Sequence, residues 1–205
     1  NAESIININW TNVDYKKAID SEYFDLGICD WDEINQAKSS RINSIYKDID
    51  WEEIKYTELN ADTVKDLDWI RVNYKEASDS KNFDLNKVDF EEIHQATSSS
   101  KIKKVYKDID WEEINYTELD INTVQDLDWI QVNYKEASDS KNFDLNKVDL
   151  EEIHQAKSSK IDDVYDDIDW EEIGFGDLNS ETKEDIDWAR VNYKESTKAK
   201  DFDLD

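Results

Sequence analysis

The chain has 205 residues, of which 52 are acidic and 25 basic, giving a formal charge of −27. That balance argues against nucleic acid and anionic membrane surfaces as partners, since both reward clustered Lys and Arg, and no run of about 18 apolar residues offers a membrane span. Hydrophobic residues make up only 38%, yet eight Trp, ten Tyr and six Phe bring large buried area per side chain, so the composition reads as folded around a thin core.

In chain order, one pattern returns about every twenty residues. Its lead column is Asn9, Asp30, Asp50, Asp68, Asp89, Asp110, Asp128, Asp149, Asp169 and Asp187. The next column is Trp10, Trp31, Trp51, Trp69, Phe90, Trp111, Trp129, Leu150, Trp170 and Trp188, which uses every tryptophan in the chain. An aliphatic residue, or Cys29, precedes each lead residue, and Ile or Val stands three places after the aromatic. Two places further on, seven copies carry Tyr or Phe and three carry Gln36, Gln95 and Gln155. A longer period overlies the short one: Tyr74 to Asp89 recurs identically at Tyr134 to Asp149, and Trp51, Trp111 and Trp170 lie 60 and 59 residues apart. Internal repetition on this scale decides the fold before any other argument does.

Ile109-Asp110-Trp111-Glu112-Glu113-Ile114 shows what the pattern predicts. Asp110 is placed to cap a helix, Glu113 completes a capping box, and Glu112 and Glu113 set negative charge at the positive end of the helix dipole. Ile109 and Ile114 have the spacing of a hydrophobic staple. The same reading makes structural caps of Asp30, Asp50, Asp68, Asp89, Asp110, Asp128, Asp149, Asp169 and Asp187. It makes structural core of Trp10, Trp31, Trp51, Trp69, Trp111, Trp129, Trp170 and Trp188.

Between the copies, Ile42, Ile45, Tyr46 and Ile49 fall at i, i+3, i+4 and i+7, one face of a helix. Ile102, Val105, Tyr106 and Ile109 repeat that spacing, as do Ile161, Val164, Tyr165 and Ile168, and Ser/Thr stretches such as Thr97 to Ser100 can cap these segments. Asn60, Asp120 and Asn179 can cap the segments that end at Leu67, Leu127 and Ile186. Around Phe83-Asp84-Leu85 and Phe143-Asp144-Leu145 the pattern predicts a turn and a short helix. The expected fold is all-α: an α-solenoid of about ten two-helix units of 18–21 residues, beginning near residues 8, 29, 49, 67, 88, 109, 127, 148, 168 and 186. Residues 1–205 read as a single array, cut from a longer one. Helical spacing and capping boxes set this apart from a β-solenoid of similar period.

Three chemistries are tested and set aside. Paired carboxylates such as Glu112-Glu113 and Glu151-Glu152 recur at helix starts, where capping explains them, whereas acid–base catalysis needs two carboxyls in contrasting environments. Asp79-Ser80-Lys81-Asn82-Phe83-Asp84 lacks the alternating ligands and the sixth-place glycine of an EF-hand, which leaves nonspecific divalent binding to the acidic surface. His94 and His154 have no Cys or second His nearby to complete a zinc site and read as surface helix residues, and Cys29 reads as a buried thiol. No catalytic, cofactor or metal residue is assigned. Choline-binding repeats also carry aromatics every twenty residues, but they are Gly-rich hairpins, and this chain has three glycines.

The iterated Asp-Trp-x-x-Ile/Val unit with Tyr two residues on resembles the tandem acidic repeats of very large bacterial surface or secreted proteins, including those of marine cyanobacteria. The resemblance implies an extracellular or cell-surface array and carries over no functional residue. The expectation is a non-enzymatic structural or interaction module, a spacer, stalk or adhesive segment. Its partners are neighbouring repeats, another protein or a second copy of itself, without nucleic acid or membrane insertion. The alternative is a scaffold that binds a peptide, protein or glycan, and a third reading is a Ca2+-responsive acidic repeat.

Overall fold

The computed structural model describes residues 8–21, 24–95 and 98–204. Within these, thirteen α-helices of four to ten residues, mostly in consecutive pairs, are separated by seven 3-10 turns, and no strand occurs. The chain divides into two compact units, Asn1–Ile109 and Asp110–Asp205, where the sequence predicts one array. The boundary falls inside the repeated motif, between Ile109 and Asp110, so no change of composition marks it.

The first unit holds α1 (Tyr15–Ala18), α2 (Trp31–Asn35), α3 (Ser39–Asp48), α4 (Ala61–Asp66), α5 (Tyr74–Ser78), α6 (Phe90–Gln95) and α7 (Ser99–Asp108). The second holds α8 (Ile121–Asp126), α9 (Tyr134–Asp139), α10 (Leu150–His154), α11 (Ser158–Asp167), α12 (Ser180–Asp185) and α13 (Tyr193–Ser196). Helices this short are not stable alone in water and depend on packing. Most helix contacts are next-but-one: α1 lies on α3, α2 on α4, α5 on α7, α9 on α11 and α10 on α12, while α10 also lies on its neighbour α11.

α3, α7 and α11 are the ten-residue helices that the i, i+3, i+4, i+7 spacing predicts. Their N-caps are Lys38, Ser98 and Lys157, none of which makes a side-chain cap bond, so the Ser/Thr stretches do not cap them as expected. Ser98 instead bonds Ser100, Oγ to Oγ at 2.6 Å, and Thr97 lies outside the described residues. α4, α8 and α12 are capped by Asn60, Asp120 and Asn179, whose side chains accept from the N–H groups of Thr63, Thr123 and Thr182 at 2.8, 2.9 and 2.8 Å.

The tryptophans act at helix ends. At the C-terminus of α3 the Ile49 N–H donates to the Ile45 carbonyl, and the next carbonyl, Tyr46 O, accepts from the Trp51 indole at 2.8 Å. α4, α8, α11 and α12 stop in the same way: Trp69 bonds Val64 O, Trp129 bonds Val124 O, Trp170 bonds Tyr165 O and Trp188 bonds Lys183 O, at 2.8–3.3 Å. Helix C-termini leave carbonyls without an internal partner, and the indole N–H five residues on satisfies one of them. The aliphatic-Asp-Trp signature is therefore a helix stop at these five places. Phe90 and Leu150 lack that donor, and they follow 3-10 turns whose first carbonyls, Leu85 O and Leu145 O, already accept from Val88 and Val148.

Aromatic pairs fill the core at matching places. Tyr56–Phe83, Tyr116–Phe143 and Phe175–Phe202 meet edge to face with centroids 5.5, 5.4 and 4.8 Å apart, and Tyr46–Trp51 and Tyr165–Trp170 stack at 5.7 Å. Such geometry suits ring quadrupoles and adds to the stabilisation from burial alone.

Candidate interaction surface

The lead column splits into two groups. Asp30, Asp89 and Asp149 cap α2, α6 and α10, accepting from the N–H three residues on (Glu33, Glu92, Glu152) at 2.9, 2.7 and 2.8 Å. Asp50, Asp110 and Asp169 accept instead from the N–H two residues on (Glu52, Glu112, Glu171) at 2.9–3.1 Å, and the chain there forms a turn. The segments led by Asp68, Asp128 and Asp187 are also turns. Asp68 and Asp187 pair with Arg71 and Arg190. The capped helix predicted at Asp110 is thus absent, as it is at five other Asp-led copies.

The sixth position after the lead residue decides between the two. Side chains on a helix turn by about 100° per residue, so the sixth position points about 140° away from the first. Where it holds exposed Gln36, Gln95 or Gln155, a helix can bury the first and fourth positions and continue. Where it holds Tyr or Phe, a helix would point that ring at solvent. The chain bends, and a new α-helix or 3-10 turn begins at the aromatic itself: Tyr15, Tyr56, Tyr74, Tyr116, Tyr134, Phe175 and Tyr193. The first six of these rings are buried. The Tyr15 and Tyr74 hydroxyls then donate to the carbonyls of Trp10 and Trp69 at 2.9 and 2.7 Å.

The glutamate of the expected capping box also has a different partner. Glu33, Glu92 and Glu152 accept from the backbone N–H of Trp10, Trp69 and Trp129, each 23 residues earlier, at 3.3, 3.0 and 3.1 Å. Burial holds the Glu92 and Glu152 carboxyls above the usual carboxylate range, against the lowering effect of the Trp N–H. Trp188 occupies the same column as Trp69 and Trp129 but is 37% exposed. The other seven tryptophans are buried.

The remaining singled-out residues have structural surroundings. Asp84 and Asp144 cap 3-10 turns through Asn86 and Asn146 N–H at 3.0 Å. Ser80 and Ser140 reach back to the Ile54 and Ile114 carbonyls at 3.0 and 3.3 Å, so the loops at 79–84 and 139–144 are each tied to the body of their unit. No group of three or more His, Cys, Asp or Glu converges among the described residues. His94 and His154 are exposed, and their Nε2 atoms meet the hydroxyls of Tyr106 and Tyr165 at 3.1 and 3.2 Å. Cys29 is buried, and burial pushes its thiol up to about 12. No described helix is long and apolar enough to cross a membrane.

The surface feature with a chemical bias is a groove of about 620 Å³ between α3, the turn at 70–73 and α7. Lys47, Arg71, Lys101 and Lys104 line it, opposed by Asp108, and Tyr46 and Tyr74 form part of its wall. Tyr46 Oη accepts from the Asp68 N–H at 2.9 Å, which fixes the turn that carries Arg71. Such a groove can hold carboxylates through charge-assisted hydrogen bonds, and it contains no nucleophile paired with a base. In the second unit a groove of about 760 Å³ is lined by Glu112, Asp139, Asp144, Asp169, Glu172 and Asp177, among others. Neither groove was foreseen: their residues are scattered in sequence and show no spacing signal. Comparison of the chain with protein-family models, curated proteins and solved structures finds no match.

Proposed function

We propose that the chain is a structural and interaction repeat module, a spacer, stalk or adhesive segment of a larger protein at the cell surface or outside the cell. The observation that carries this reading is the recurrence of one set of internal bonds. Trp10–Glu33, Trp69–Glu92 and Trp129–Glu152 repeat at the long period with matching atoms and separations. A unit that restates its own core extends by duplication, while a catalytic site needs one asymmetric place. The extracellular setting rests on the resemblance to acidic surface arrays, and the acidic surface is suited to nonspecific divalent cations.

The module is read as an elongated solenoid. If ten layers stack straight at roughly 8–10 Å apart, the expected maximum dimension is on the order of 80–100 Å. Small-angle scattering of the monomer tests this, and a compact sphere overturns it. A second reading, a scaffold for a peptide, protein or glycan, is supported by the cation-lined groove beside α7. It predicts saturable binding of an acidic peptide that Arg71→Ala with Lys101→Ala abolishes.

A further inference from the structure

α3, α7 and α11 hold the same place in successive long repeats, and their inward positions are conservative. Ile42, Ile45, Tyr46 and Ile49 correspond to Ile102, Val105, Tyr106 and Ile109, and to Ile161, Val164, Tyr165 and Ile168. The outward positions are not. α3 presents Asn43, Ser44 and Lys47, α7 presents Lys103, Lys104 and Lys107, and α11 presents Asp162, Asp163 and Asp166. The six α7 and α11 side chains are exposed. From α7 to α11 all three charges reverse while the four core-facing residues are identical.

We propose that the α7 face is an interaction surface whose partner is the α11 face of a second copy of this chain. The two helices have equal length, and their charges stand at the same relative positions, i, i+1 and i+4, so each lysine of one face has an aspartate to meet on the other. Complementary potentials of this kind set partner and register more than raw affinity. The net charge of −27 opposes association at long range, but at about 0.15 M salt that repulsion is screened beyond roughly 8 Å, and contacts between opposite charges persist. Neighbouring ion pairs leave most of the two faces unpaired. Lys104 meets Asp108 on its own helix at 2.5 Å, and Asp162 is held by Arg190 at 2.8 Å. Lys103, Lys107, Asp163 and Asp166 form no ion pair among the described residues. The inference deepens the module reading by naming its partner.

The test is sedimentation equilibrium of the full chain at about 0.15 M salt, with two double variants that spare Asp162: K104E/K107E and D163K/D166K. The wild type is expected to gain mass with concentration, each variant alone to associate at least tenfold more weakly, and an equimolar mixture of the two to recover association. K75E/K135E makes the same change of net charge as K104E/K107E at exposed sites elsewhere and should associate like wild type. A wild type that stays monomeric to millimolar concentration overturns the proposal, as does a mixture no tighter than its components or a control as weak as K104E/K107E. Circular dichroism confirms that each variant is folded. Scattering on monomeric K104E/K107E still reports the spacer dimension, so a failure of self-association is separable from a failure of the elongated reading.

Discussion

Two segments of the first unit, twenty residues apart, differ far more in structure than in sequence. Asp30-Trp31-Asp32-Glu33-Ile34-Asn35-Gln36 forms helix α2, and Asp50-Trp51-Glu52-Glu53-Ile54-Lys55-Tyr56 forms a turn that hands over to a 3-10 segment. Cap, aromatic, acidic pair and Ile match in both. What differs is that Gln36 is exposed and Tyr56 is fully buried. Burying a Tyr ring is worth more than the few backbone bonds of a one-turn helix, so tertiary packing overrides a local preference that both segments share.

The largest expected effect is on Trp51. Trp51→Ala should lower unfolding free energy by about 3–5 kcal/mol, read by urea denaturation. Trp188→Ala, at a 37% exposed site, should cost clearly less; equal losses would show that the column is not ordered by burial. Tyr56→Gln should cost about 3–5 kcal/mol, taking the value for a large aromatic, while Gln36→Tyr should stay within about 0.5 kcal/mol. If Gln36→Tyr destabilises as much as Tyr56→Gln, the sixth position does not decide between helix and turn.

Trp51→Phe keeps the ring but removes the indole N–H, stranding the buried Tyr46 carbonyl, and should cost about 1–3 kcal/mol. Trp31→Phe should cost less, because Leu26 O also accepts from Cys29 N–H at 3.2 Å. Among the caps, Asp30→Ala should cost about 0.5–2 kcal/mol, and Asp50→Ala less, since its bond serves an exposed turn.

The smallest effect concerns pH. Burial raises the Glu92 carboxyl above its ordinary value of 4.5 in the folded chain. A raised folded value means that the native state binds the proton more tightly, so Glu92 favours folding at low pH, and that contribution is lost as pH rises from 4.5 through the folded value. Glu92→Gln keeps an acceptor for the Trp69 N–H and removes the desolvated charge. Its stability relative to wild type should therefore improve as pH rises through that window. A flat difference between pH 4 and 8 would show that Glu92 titrates alike in both states.

Much of this was legible in the sequence. The helices α3, α7 and α11 follow from Ile, Val and Tyr at helical spacing, and the caps Asn60, Asp120 and Asn179 from residue type and place. The all-helical class followed from the same evidence. Less legible was which end of a helix Asp-Trp marks, because an aspartate that caps a helix and one that closes a turn are the same residue type, differing only in accepting from the N–H three or two residues on. The deciding signal, Tyr or Phe against Gln at the sixth position, was present but has meaning only once the core side of the chain is known. The division at Ile109 and the grooves depend on contacts between distant residues and leave no local trace.

The exposure of Trp188 gives the molecule an optical asymmetry. Seven indoles are enclosed and one meets solvent, so a neutral quencher such as acrylamide should reach Trp188 first. Emission that survives quenching reports the enclosed seven, and its loss during denaturation can be timed separately from local opening around Trp188. The chain thereby carries a built-in pair of fluorophore classes that distinguish local opening from global unfolding without any added label.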